Sequence, residues 1–308
     1  MITIWKHEDQ LQKVDKIQRN CWVNVIAPTP EEISRVTREF KVPDYFIEDI
    51  MDVDERSRTE VEGRWLLIIL RIPIYRPNNG VPFYTIPLGV LISFNSIITI
   101  CLEQNEIIND MVNPLKNKTL SLENKYNFVL NLFLRSATQY LKFLKYINIE
   151  TSKLEHDLEK STKNKELHRL LKMEKCLVFF ITSLKSNELL LSKLKTRFSK
   201  SSDLDEDLLE DVIIENKQAL EMSKIYSDIQ SGMMDAFASV ISNNLNVVMK
   251  QLTSITIILM IPTLVASFYG MNIANSLESS KYGFVIIVLL SILLSGFGVF
   301  VFRKKKLF

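Results

Sequence analysis

Residues 242–272 read SNNLNVVMKQLTSITIILMIPTLVASFYGMN. No charged residue occurs from Gln251 to Leu277. A bilayer core needs about 20 apolar residues in a helix, and the segment from about Leu252 to Tyr269 meets that length. A second uncharged run, from about Gly283 to Phe302, is apolar on every face. That pattern suits a membrane span; a buried pair of core helices is the alternative, and such a pair rarely lacks a polar face altogether.

The flanking charges orient the pair. Lys250 precedes the first span, and Arg303, Lys304, Lys305 and Lys306 follow the second. The loop between them carries only Glu278 and Lys281. The positive-inside rule then puts both chain ends in the cytoplasm of a multi-pass plasma (inner) membrane protein, with the short loop outside. The basic tail is an anchor at the anionic leaflet.

Upstream of the spans the chain reads in two pieces. Residues 1–120 hold eight of the nine prolines and several β-branched runs: Trp22 to Ala27, Val61 to Tyr75, Val81 to Phe94 and Ser96 to Leu102. Helical patches at Pro30 to Phe40, with Thr29 as N-cap, and at Asp44 to Met51 fall between them. This predicts a cytoplasmic α/β domain. From Leu115 to Ser231 there is neither glycine nor proline. Apolar residues recur there at helical spacing, which predicts helices over 124–161, 164–199 and 204–269. The last would be roughly 100 Å long at 1.5 Å per residue, a stalk continuous with the first span. The expected division is therefore 1–120, an α/β domain; 121–250, a helical domain and stalk; and 251–308, the membrane domain. Taken whole, the fold class is an α+β membrane protein.

The stalk carries a polar stripe: Asp235, Ser239, Ser242, Asn246, Met249, Thr253, Thr256, Met260 and Thr263. Steps of four and three make a heptad seam that runs on into the span. In lipid, such a stripe faces protein or water. One explanation is tight Ser/Thr packing between helices. The other is a pore lined by the same helix from several copies, because two spans cannot enclose a channel alone. On that reading Met249 and Met260 are apolar constrictions that gate by dewetting. Pro262 should locally disrupt the helix and free a carbonyl near Ile258.

Several functions are disfavoured. With 308 residues, a net charge of +2 and no basic stripe interleaved with aromatics, nucleic acid is a poor partner. Cys21, Cys101 and Cys176 are scattered, with no zinc or redox spacing. No secretory signal opens the chain. No Walker loop, GxSxG or HExxH occurs, so the chain does not read as an enzyme, and transport would be passive.

Tyr269-Gly270-Met271-Asn272, directly after the first of two C-terminal spans, resembles the signature of the CorA-type magnesium transporters. The stretches MIPTLVASFYGMN and NNLNVVMKQLTSIT resemble that family's pore helix, and the order of parts agrees along essentially the whole chain. The resemblance implies a funnel-shaped homopentamer in the lipid bilayer, conducting divalent cations with Mg2+ as both cargo and regulator. It places the selectivity filter at Gly270, Met271 and Asn272, and the pore lining at Asp235, Asn246, Met249, Met260 and Thr263, to which the stripe's spacing adds Thr253 and Thr256. Glu278 is the loop residue that attracts cations. A ring of Asn272 amides would accept hydrogen bonds from a hydrated ion, since Mg2+ sheds its water reluctantly. Gly270 permits the backbone to turn out of the helix. A transporter of Co2+, Ni2+ or Zn2+ is an alternative, as is a non-conducting two-span coiled-coil scaffold.

Residues 201–216, SSDLDEDLLEDVIIEN, hold seven carboxylates and no basic residue. Ser202 or Asp203 as N-cap, with acids complementing the helix dipole, explains the first of them. Asp207, Glu210 and Asp211 lie a turn further on, where like charges repel unless a cation compensates. The family resemblance implies a regulatory Mg2+ here, shared with the N-terminal domain of the next subunit near Tyr75 to Asn79. Closure at high internal Mg2+ would follow.

Overall fold

The computed structural model describes residues 1–7, 11–77, 80–113, 122–160, 164–198, 204–271 and 281–305. In chain order the elements are β1 (Ile2–His7), β2 (Leu11–Val14), β3 (Cys21–Ile26), α1 (Pro30–Phe40), α2 (Asp44–Met51), β4 (Arg58–Glu62), β5 (Trp65–Tyr75), β6 (Phe83–Ile92), β7 (Ser96–Cys101), α3 (Glu106–Val112), α4 (Lys125–Lys160), α5 (Asn164–Phe198), α6 (Glu206–Tyr269) and α7 (Gly283–Lys304). The chain divides into two compact units, Met1–Met233 and Met234–Phe308, and α6 has residues in both.

The first unit is built on a seven-stranded sheet of order β2-β1-β3-β7-β6-β5-β4. Neighbours are antiparallel except β3 and β7, which pair parallel from Cys21 opposite Ser96 to Ile26 opposite Cys101. Period-two alternation sends each strand's side chains to both faces. On one face Leu67, Ile69 and Ile98 pack against Val36 of α1 and Phe46 and Ile50 of α2. On the other, Ile68, Leu70 and Val90 pack against Phe128 and Leu132 of α4, Leu194 of α5, and Leu209 and Val212 of α6. Each fully buried side chain of this kind contributes roughly 2 kcal/mol of apolar burial.

Local signals explain most boundaries. Thr29 caps α1 with a capping box: its Oγ1 accepts from the Glu32 N–H at 3.3 Å, and Glu32 Oε2 accepts from the Thr29 N–H at 3.0 Å. Five differences from the sequence reading have physical causes. β1 and β2 form an edge ribbon whose outer strand is mostly solvated, so its apolar pattern is weak. The run from Val61 to Tyr75 contains the end of one strand, a Gly63-Arg64 turn and a second strand. The short α3 starts on Asn105, whose Oδ1 accepts from the Ile108 N–H at 2.9 Å. The N-cap of α6 is Asp205 rather than Ser202 or Asp203; its Oδ1 accepts from the Leu208 N–H at 3.0 Å. And α6 runs unbroken through Pro262, although proline has no N–H for the Ile258 carbonyl.

A half-buried arginine ties the first unit together. Arg71 of β5 donates to the carbonyls of Val53 at 2.9 Å, Glu55 at 2.6 Å and Thr85 at 2.7 Å, and to Ser183 Oγ of α5 at 3.2 Å. Burial pushes its guanidinium below the usual arginine range. Its backbone needs partners too, because β4 stops at Arg58, opposite Ile69. The Asn187 amide of α5 fills that place: Oδ1 accepts from the Arg71 N–H at 3.0 Å, and Nδ2 donates to the Arg71 carbonyl at 2.8 Å. A side-chain amide thus substitutes for one rung of the ladder, where an unpaired buried backbone group would be costly.

Candidate functional site

The second unit holds the helix pair on which the predicted site lies. Both α6 and α7 contain a segment long and apolar enough to cross a membrane, and those segments are almost wholly exposed. Their mutual packing is narrow. Ser254 of α6 is buried, and Ile258, Ile261 and Val265 are partly covered. On α7 the buried residues are Gly283 and Ser291, with Ile287, Ser295 and Gly298 partly covered. These sets repeat at three and four residues, one face of each helix. Gly298 lets the helices close: a Cβ there would sit 3.3 Å from Ile261 Cδ1. Between the pair lies an apolar cavity of about 610 Å³, with Pro262, Tyr269 and Gly270 on one wall and Phe284 and Ser291 on the other.

The polar stripe occupies different ground. Asp235, Ser239, Ser242, Asn246, Met249, Thr253, Thr256, Met260 and Thr263 are all exposed. At 3.6 residues per turn, the stretch from Thr253 to Thr263 is centred about 150° around the helix from the face that meets α7. The stripe is therefore not consumed by packing within the chain. Its hydroxyls are anchored locally: Ser239 Oγ donates to the Asp235 carbonyl at 3.0 Å, Thr256 Oγ1 to Leu252 at 2.8 Å and Thr263 Oγ1 to Leu259 at 3.1 Å. Such back-bonding satisfies each donor and leaves oxygen lone pairs facing outward.

At the outer end of α6, Gly270 does not take the left-handed conformation of a glycine helix cap. Its N–H donates to the Ala266 carbonyl at 2.9 Å, as in a helix, and the Met271 N–H reaches the Phe268 carbonyl at 3.5 Å. Space is the tighter constraint, since a Cβ at Gly270 would lie 3.2 Å from the Ala266 oxygen. Gly270 and Met271 are exposed. Asn272, Glu278 and the Asn78-Asn79 pair lie outside the described residues.

In the first unit, Asp207, Glu210 and Asp211 are exposed on α6, while Leu209 between them and Val212 directly after them are buried. Among the described residues, no group of three His, Cys, Asp or Glu side chains is close enough to hold a metal ion. The sequence reading did not single out the α7-facing set. The signal was present in the four- and three-residue spacing of Gly283, Ile287, Ser291, Ser295 and Gly298.

Comparison with known proteins covers nearly the whole chain. Residues 18–304 match the family described as CorA-like Mg2+ transporter protein. The chain is 26% identical to the cobalt/magnesium transport protein CorA of Methanocaldococcus jannaschii over 302 residues, 95% of this chain and 94% of that one. It is 24% identical to the cobalt/magnesium transport protein CorA of Thermotoga maritima, over 92% of this chain and 82% of that one. The complete structure of the M. jannaschii CorA magnesium transporter superposes with a TM-score of 0.83 at 22% identity, covering 99% of this chain and 98% of that one.

Proposed function

The chain belongs to the CorA-like Mg2+ transporter protein family, and on that premise we propose that it is a homopentameric membrane channel for passive, potential-driven Mg2+ uptake. One observation carries the pore reading: the polar stripe of α6 stays exposed, on the side of the helix turned away from α7. In a bilayer that stripe needs water or other polar surface. Copies of α6 around an axis supply both. Asp235, Asn246, Thr253, Thr256 and Thr263 then line a wet path, interrupted by the thioether rings of Met249 and Met260. A non-conducting coiled-coil scaffold would instead close the same stripe into dry helix packing, with no path for an ion.

Asn272 closes the column at the outer mouth, after Gly270 and Met271. Its amide oxygens accept hydrogen bonds from the water around Mg2+, so the ion enters without being stripped. Neutral amides hold the hydrated ion loosely enough to release it, whereas a ring of carboxylates would retain it. Glu278 raises the local cation concentration. On the cytoplasmic side, internal Mg2+ bridges Asp207, Glu210 and Asp211 to a neighbouring subunit and favours the closed state. The coupling is the metal's differential affinity for that state. Membrane potential drives inward flow, and no nucleotide hydrolysis is required.

The test is flux into proteoliposomes containing the full chain, comparing Mg2+, Co2+, Ni2+ and Zn2+. Asn272→Ala is expected to abolish selective, saturable Mg2+ uptake while the oligomer still assembles. Retained saturable uptake in that variant overturns the filter assignment. Preference for another ion over Mg2+ overturns the cargo assignment.

A further inference from the structure

A second site lies in the first unit, at the sheet end where β5 and β7 begin and β6 ends. There a cavity of about 880 Å³ adjoins one of about 360 Å³, and the two share Arg19, Arg64, Trp65 and the Ser93-Phe94-Asn95 turn. Lys125 and Arg197 line the larger one. Each by itself falls in the size range of small-molecule sites.

The charges are uncompensated in a specific way. Lys125 Nζ donates to the Ser93 carbonyl at 2.8 Å and to the Phe94 carbonyl, and sits 5.8 Å from the Phe94 ring centre. Arg64 donates to the Phe40 carbonyl and lies over the Trp65 ring at 5.6 Å. Neither meets a carboxylate among the described residues, and the Arg19 and Arg197 side chains make no hydrogen bond or ion pair there. The lining holds two carboxylates against these four cations: Glu39, which pairs with Arg35 at 2.9 Å, and Glu123. Lys125 also opens α4, whose first turn contains no acid. A cation there opposes the helix dipole; Asn124 caps the helix, its Oδ1 accepting from the Asn127 N–H at 3.0 Å, and an anion in the pocket would complement the ammonium. Burial accordingly pulls the Lys125 ammonium below the usual lysine range.

The walls are built rather than incidental. Asn20 takes a left-handed φ of 55°, and its N–H donates to the Asn95 carbonyl at 2.7 Å. This ties the loop bearing Arg19 to the turn bearing Phe94. Gly63, at φ 55°, makes the tight turn that presents Arg64; open space surrounds its Cα, so the backbone angle alone requires glycine. Phe94 is 89% exposed at the tip of its turn, and the Lys125 ammonium lies over its ring at 5.8 Å.

We propose that this basic pocket binds a nucleoside polyphosphate, with Arg19, Arg64, Lys125 and Arg197 around the phosphates and the base stacked on Phe94. Guanidinium groups suit phosphate oxygens through bidentate bonding. A stacked ring adds selectivity for a base over bare phosphate. The site is separate from the proposed pore, so its success or failure leaves the transport reading untouched.

The test is calorimetric titration of the purified full chain in detergent, with EDTA present so that chelated Mg2+ contributes no heat. The probes are ATP, inorganic tripolyphosphate and adenosine. ATP is expected to bind saturably, tripolyphosphate about tenfold more weakly, and adenosine not at all. Arg19→Glu with Arg197→Glu reverses two exposed charges, and should cut affinity for both phosphate ligands by tenfold or more, on the order of two lost charge-assisted contacts. Phe94→Ser should bring ATP down to the tripolyphosphate level and leave tripolyphosphate unchanged. No saturable ATP binding, binding indifferent to the double charge reversal, or equal affinity of the unaltered chain for ATP and tripolyphosphate would each overturn the proposal. A melting curve for each variant separates lost binding from lost fold.

Discussion

Asn216 and Asn246 carry the same side chain on the same helix, yet their surroundings are opposite. Asn216 is buried, and its Nδ2 donates to the Leu184 carbonyl of α5 at 3.2 Å. Asn246 is exposed. The contrast extends along α6. Up to Gln230, whose Nε2 donates to the Leu170 carbonyl at 2.7 Å, the helix buries Leu209, Val212, Ala219, Leu220 and Ser223. Beyond Met234, Ser254 is the one residue of α6 buried among those described. The first stretch is a structural helix whose polar groups find partners within the chain. The second is a helix whose polar groups await partners from water or other copies. Spacing at three and four residues is common to both, so periodicity alone does not tell a core from a pore.

Substitutions in the two stretches should therefore fail in different assays. The largest expected effect is on transport. Asn246→Leu removes one polar ring: a loss of ~0.6 kcal/mol per subunit over the five copies of the proposed pentamer is ~3 kcal/mol, about a 100-fold fall in Mg2+ flux. Its melting transition should move by less than about 0.5 kcal/mol, as for other exposed positions. Undiminished flux would erase the contrast, leaving the stripe idle.

Stability effects should come from the first unit. Arg71→Met strands the carbonyls of Val53, Glu55 and Thr85, and should cost ~3 kcal/mol, given the usual worth of bonds to a charged donor. Tryptophan fluorescence reads this cleanly in urea, because Trp5, Trp22 and Trp65 all lie in the first unit. A transition at the unaltered midpoint would show that the clamp is dispensable. Asn216→Ala should cost somewhat less, ~1 kcal/mol, by removing the buried amide's bond to the Leu184 carbonyl, which keeps its place in the α5 hydrogen-bond ladder. Flux per folded oligomer should be unchanged; a fall in flux comparable to that of Asn246→Leu would mean the two stretches are not functionally distinct.

The smallest effect is regulatory. Neutralising Asp207, Glu210 and Asp211 together, to Asn, Gln and Asn, should leave peak flux intact and raise the internal Mg2+ needed for closure several-fold, the size of typical coupling between sites. An unchanged inhibition curve would remove this cluster from the mechanism.

Legibility in the sequence followed the range of the forces involved. The three long helices were readable nearly to the residue because no breaker interrupts Leu115 to Ser231. The capping box at Thr29 was readable because it closes within three residues. The β1–β2 ribbon was missed because Lys6, Gln12 and Lys13 blur the alternation, and α3 because a seven-residue helix leaves little periodicity. In the site, the stripe was visible and the α7-facing seam was not singled out, because polar residues on an apolar helix stand out and small ones do not.

What the sequence determined by itself was local: two apolar segments of spanning length, their flanking charges, and a polar line along one helix. Hydropathy and a 3.6-residue period are properties of neighbouring residues, and need no partner to be read. Tertiary structure decided the rest. It set the parallel pairing of β3 with β7, the use of Asn187 in place of a strand, the gathering of Arg19, Arg64, Lys125 and Arg197 around Phe94, and which face of α6 turns to α7. Each depends on contacts between residues far apart in the chain, where sterics and unpaired polar groups select one arrangement from many that the local pattern allows.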